Sequence, residues 1–202
     1  MPEMLGICFL FDEVIADRRS VFSRLFAAST SWMGRPSEFM LLRIKTGAMS
    51  LGRWPLPDSV AQQGMGQDLL TVYSDWQADP FRFRSCITLQ EANRRAVFTL
   101  AFPSVLLHGE AIDDVERQFF HVYEVAASAG KCGTLIGPEL EQDPAPSIRE
   151  AIRSAFDPAS LAAWIITPRD FLPSDVQPFS VVKNDKLAAM LRHPDAARRV
   201  GL

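Results

Sequence analysis

The stretch Arg95-Ala-Val-Phe-Thr-Leu-Ala-Phe102, closed by Pro103, decides how this chain is read. On an extended strand Phe98, Leu100 and Phe102 point one way, and Val97, Thr99 and Ala101 the other. A strand that is apolar on both sides belongs inside a sheet. A few residues on, the segment Glu110 to Gly130 carries Ile112, Val115, Phe119, Val122 and Ala126 at helical spacing. Glu110, Asp113 and Asp114 stand at its start, where the helix dipole favours negative charge, and Gly130 suits its far end. The pattern is a central strand and the main helix that covers it.

Toward the N-terminus, Leu5 to Phe11 reads as another buried strand. Asp12 is the expected N-cap of a helix whose Val14, Val21, Leu25 and Phe26 form an apolar stripe, ending near Trp32 before Gly34-Arg-Pro36. Glu38 to Thr46 alternates as a half-exposed strand, and 47–54 continues it around a bend. Pro55 to Gln67 is a long polar loop. Leu69 to Trp76 and Phe81 to Leu89 complete a meander of about four antiparallel strands leading to Phe102.

Toward the C-terminus, Thr134-Leu-Ile136 is a short strand, and Gln142 to Pro146 a linker. Ser147 with Glu150 has the capping-box offset of a helix reaching about Phe156. Leu161 to Thr167 is an apolar strand or helix. Asn184 is the expected cap of a final helix with Leu187, Ala188 and Leu191 facing the body. These elements predict an α+β fold, a mainly antiparallel sheet of about five or six strands covered by helices, in one domain spanning 1–202.

The bulk numbers fit a globular chain: 48% hydrophobic, 22% charged, with 14 Phe and 4 Trp to fill a core. A net charge of −3 argues against a nucleic-acid binder. The charge is uneven, because residues 108–150 hold 9 acidic and only 3 basic side chains. That patch is a solvated face or a docking surface for a basic partner. Cys8, Cys86 and Cys132 are too scattered for a disulfide framework or a zinc site. No signal-peptide pattern and no membrane-length apolar run is seen, so the expected compartment is the cytoplasm, with no membrane partner.

Motifs that carry chemistry are weak. Gly64-Met-Gly66 has two glycines of a dinucleotide fingerprint but precedes a strand instead of following one. Ser180-Val-Val-Lys183 has a Ser-x-x-Lys spacing without its companion motifs. Cys132 with His108 or His121 is the one conceivable thiol nucleophile and base. Asp113-Asp114-Val-Glu116 and Glu139-Leu-Glu141-Gln-Asp143 are the carboxylate clusters, without calcium-loop spacing. Arg43, Lys45, Arg82 and Arg84, near Tyr73 and Trp76, form a possible basic stripe on one sheet face.

Gly47-x-x-Ser50-x-x-x-Trp54, then Leu70-Thr-Val72, then Asn93 leading a strand that ends Leu-Ala-Phe-Pro103, resembles the immunity protein 52 group of bacterial polymorphic-toxin immunity proteins. Phe26 to Trp32 before Gly-Arg-Pro, and the tail from Trp164-Ile-Ile-Thr-Pro-Arg-Asp-Phe171 to Gly201-Leu202, look similar too. The Asn-Gly turn usual beside the Trp54 strand is missing, and the 55–67 insert is long. The resemblance implies a cytoplasmic protein, not an enzyme, that binds and blocks a cognate protein toxin, a secreted effector of the type VI kind. It brings no catalytic residue, cofactor or metal. The acidic segment supplies the expected partner-binding residues: Glu110, Asp113, Asp114, Glu116, Glu139, Glu141 and Asp143. A homodimer is possible. The alternatives are a small-molecule hydrolase and a non-catalytic assembly subunit.

Overall fold

The computed structural model describes residues 3–62, 68–78, 81–138, 147–157, 159–174 and 179–202. Its frame is one sheet of ten strands: β1 (Met4–Phe11), β2 (Pro36–Arg43), β3 (Ala48–Arg53), β4 (Asp68–Ala78), β5 (Phe81–Ala92), β6 (Arg95–Pro103), β7 (Cys132–Pro138), β8 (Trp164–Pro168), β9 (Ser180–Asn184) and β10 (Ala188–Arg192). The order is β3-β2-β4-β5-β6-β1-β7-β8-β10-β9, and every neighbouring pair is antiparallel. This corrects the expected five or six strands. The additional strands are short, and most lie where the chain is apolar on both sides, a pattern that does not separate strand from helix over five residues.

β6 and β1 form the middle pair of the sheet. Phe9 lies opposite Phe98 on one side and Thr134 on the other. On the first face, α1 (Arg18–Ala28), α2 (Thr30–Met33) and α4 (Ile112–Ala127) cover the sheet, and α3 (Asp58–Gln62) lies beside α1. Phe98 is fully buried there, edge-on to Phe22 at 5.3 Å and to Phe11 at 6.1 Å between ring centres. Trp32 stacks on Phe102 at 5.0 Å. A buried two-pronged ion pair fastens α1 to β5: Arg18 Nε donates to Glu91 Oε1 (3.1 Å) and Nη2 to Oε2 (2.6 Å).

On the second face, α5 (Ile148–Ala155) carries Ile148, Ala151, Ile152 and Ala155 onto Cys8, Leu10, Val97, Leu135 and Ile165. It sits close because β7 has glycine at 133, where a Cβ would come within 2.5 Å of Ile148. α5 is only eight residues long. It covers the β6-β1-β7-β8-β10 half, and among the described residues no helix covers the same face of β3, β2, β4 and β5.

Several local expectations change. The first helix is capped by Asp17, whose carboxylate accepts from Ser20 N–H at 3.0 Å. Asp12 instead accepts from Ile148 N–H at 2.9 Å, beside the intact Ser147–Glu150 capping box of α5. The main helix runs from 112 to 127 instead of 110 to 130. The polar loop carries α3, and its residues 63–67 lie outside the described ones. The final helix expected from Asn184 is a hairpin of β9 and β10. Asp185 turns it by accepting the N–H groups of Leu187 and Ala188, and Leu187 is 80% exposed at the tip. The helix at this end is α6 (Ala196–Val200).

Candidate functional site

The start of α4 holds the first acidic cluster and divides it. Ala111 is the N-cap and offers no side-chain acceptor, so Asp113 and Asp114 supply the negative charge in the first turn. Glu110 is exposed, and so is the Asp113 side chain at 83%. Asp114 is half-exposed and paired with Arg117 one turn on.

Glu116 is different. It belongs to the apolar stripe that includes Ile112 and Phe119, and only 1% of it is exposed. One carboxylate oxygen accepts from Trp164 Nε1 (2.8 Å) and Arg192 Nε (2.6 Å), the other from Arg192 Nη2 (2.9 Å). The expectation that Glu116 is a surface contact is overturned. It is a buried tie between α4 and strands β8 and β10. Asp113 reaches toward the same Arg192 at 3.7 Å from the outside. Glu139, Glu141 and Asp143 lie outside the described residues.

The other candidates resolve by position. Cys132 opens β7 instead of trailing α4. It is 1% exposed, contacts Gly133 O and Thr134 Oγ1, and burial pushes its thiol up to about 12. A thiol held protonated in this way is a poor nucleophile. Cys8 is buried mid-strand against Thr99. Ser180 and Lys183 lie on β9, away from the helix start that a Ser-x-x-Lys nucleophile requires. Gly64 and Gly66 lie outside the described residues, as do the side chains of Arg82 and Trp76. Arg84 of the basic stripe is occupied: it pairs with Glu38 at 2.6 Å and lies 4.0 Å over the Tyr73 ring. Among the described residues no three His, Cys, Asp or Glu side chains converge as a metal site. A half-open depression of about 270 Å³ beside α5 is lined by Leu135, Ala151, Ser154, Ala155, Asp157, Ala159 and Ser160, where Asp157 Oδ1 accepts from Ala159 N–H at 2.8 Å and Ser160 Oγ from Ala162 N–H at 3.2 Å. No helix among the described residues is long and apolar enough to cross a membrane.

One titratable site escaped the sequence. His193, just past β10, is nearly buried against Phe179. Its Nδ1 accepts from Asp195 N–H at 3.0 Å, and its Nε2 lies 2.9 Å from Arg199 Nη2. Arg199 and the Asp195 N–H both only donate, so the neutral ring, with one bare nitrogen, accepts one of the two contacts and a protonated ring accepts neither. Burial first, then the Arg199 charge, and in lesser measure Arg198, hold its pKa below the usual value, with Asp195 opposing. The unfolded chain therefore binds the proton more readily than the folded one. His193 contributes stability that is full above pH about 6.5 and is lost as pH falls from there through its lowered folded value. The urea midpoint should fall between pH 7.5 and 5.5, above the carboxylate range, and the His193→Gln variant should lose most of that dependence.

No family model and no curated protein matches this chain. Among solved structures it is similar to a chain of the crystal structure of the toxic C-terminal tip of CdiA from Pseudomonas aeruginosa in complex with immune protein. The identity is 12% and the TM-score 0.41, over 71% of this chain and 90% of the other. A likeness this slight bears on neither fold nor function.

Proposed function

We propose that this protein binds a cognate antibacterial protein toxin and neutralises it by occlusion, as an immunity protein does. The supporting observation is the exposed carboxylate edge of α4, Glu110, Asp113 and Asp114, on a helix that Glu116 anchors to the sheet. An anionic edge held in place complements a cationic cleft, such as those of toxins that act on nucleic acid, and speeds encounter with it. The motif residues of the resemblance form turns and packing contacts. Gly47 turns the β2–β3 hairpin at φ +66°, Asn93 turns β5 into β6 at φ +52°, and Trp54 packs on Phe26. These residues hold the scaffold, so the docking residues are other ones. Glu139, Glu141 and Asp143 form a second proposed contact cluster. Delivery of the toxin by type VI secretion has no support from the comparisons and is not proposed.

The test is charge reversal measured on the toxin purified from the native host. Glu110→Lys with Asp113→Lys should weaken binding by at least about tenfold and flatten its dependence on salt. Reversal at 139, 141 and 143 is the parallel arm. If neither arm changes the affinity by that factor, the acidic segment is a solvated surface and the occlusion reading through it fails.

A further inference from the structure

β3 is one edge of the sheet, and among the described residues no strand pairs with its outer side. Ala48, Met49, Ser50, Leu51 and Arg53 are exposed, Met49 at 59% and Leu51 at 71%. The strand contains neither proline nor lysine, and its one charge is Arg53 at the end. Trp54 N–H donates to Ser37 O, so alternation along the antiparallel β2–β3 pair turns the N–H and C=O groups of Arg53, Leu51 and Met49 outward. The side chains of these residues stand with Glu38, Met40 and Leu42, their partners on β2, on the face that α5 leaves open.

We infer that a second copy of this chain docks here, β3 against β3, joining two sheets about a twofold axis through Leu51. The register follows from the groups available. Centred on Leu51, the pairs are Leu51 with Leu51, Met49 with Arg53 and Arg53 with Met49, and each brings outward N–H and C=O groups face to face. Centring on Arg53 sets two guanidinium groups opposite each other, and centring on Met49 leaves half the strand unpaired. In the Leu51 register Glu38 flanks Arg53 within each copy, so no like charges meet. The apolar band Met40–Leu51 continues across the axis into its symmetry copy. A pair of six-residue strands is smaller than the roughly 1,200 Å² of a standard stable interface, so the dimer is concentration-dependent. This dimer does not rest on the proposed function.

The test is sedimentation equilibrium of the full chain from about 1 to about 200 μM, the range where such an interface populates. The wild type should pass from monomer to dimer. Leu51→Lys puts two ammonium groups on the axis and should weaken association by at least about tenfold. Met49→Glu faces Arg53 of the second copy twice and should tighten it by about threefold at low salt. Both sites are exposed, and unchanged melting of the dilute monomers confirms that the fold is intact. A wild type that stays monomeric, or a Leu51→Lys variant that still dimerises as well, overturns the proposal. A Met49→Glu variant that weakens association overturns the register, because only an unregistered apolar contact behaves that way.

Discussion

Replacing Phe98 by alanine lowers the free energy of unfolding by about 3–5 kcal/mol. The side chain is fully buried at the middle of the sheet, between Phe11 and Phe22, with α1 lying above it. The loss has two parts, the transfer of the removed ring and the cavity it leaves. Neighbouring strands are bound on both sides of β6, so the cavity has little room to close. For a domain stable by about 5–15 kcal/mol this is a large fraction. Urea unfolding checks it, and a loss under about 1 kcal/mol places Phe98 outside the core.

The second large effect is an asymmetry at the Glu116–Arg192 pair. Arg192→Leu should cost about 3–5 kcal/mol, because it leaves a carboxylate at 1% exposure with only the Trp164 N–H. Glu116→Leu should cost less, about 1–3 kcal/mol. The Arg192 side chain is 29% exposed and can turn its charge toward water and Asp113. The double variant should then be far less damaged than the two single losses combined, since an apolar pair leaves no buried charge behind. Equal single costs, or plain additivity, would show that the pair does not act as a unit.

The sequence made β1, β6, α4 and the capping box of α5 legible for one reason: each is settled by residues close together in the chain. Long apolar runs and 3.6-residue stripes are local signals. β10 was not legible because Ala188 and Met190 face one core while Ala189 and Leu191 face the other. Four consecutive buried residues have no period to read, and Leu187, Ala188 and Leu191 happen to mimic a helical stripe. Asp12 and Asp17 are equally good caps by type, and only Ile148, remote in sequence, claims the first of them.

The candidate site shows the same limit. Position 116 sits three residues before Phe119, within the apolar stripe, so its burial was open to inference. Its charge grouped it with Asp113 and Asp114 instead. The partners that make a buried glutamate tolerable, Trp164 and Arg192, are 48 and 76 residues away in the chain. The exposed carboxylates Glu110 and Asp113 needed no such partners, and the helix start alone placed them.

The place of β1 also governs the order in which this protein can be made. β1 precedes the other nine strands in the chain, yet both of its neighbours, β6 and β7, are encoded far downstream. Phe9 has no register partner until about 90 further residues have been synthesised, a wait of several seconds at common elongation rates. The meander β2 to β6 meets its partners as soon as each hairpin emerges, and β6 finds β1 already made on its far side. For that interval Leu-Gly-Ile-Cys-Phe-Leu-Phe, from Leu5 to Phe11, is a nascent segment with nothing to pair with. One of the two central strands of the finished sheet is thus the one left longest without a partner.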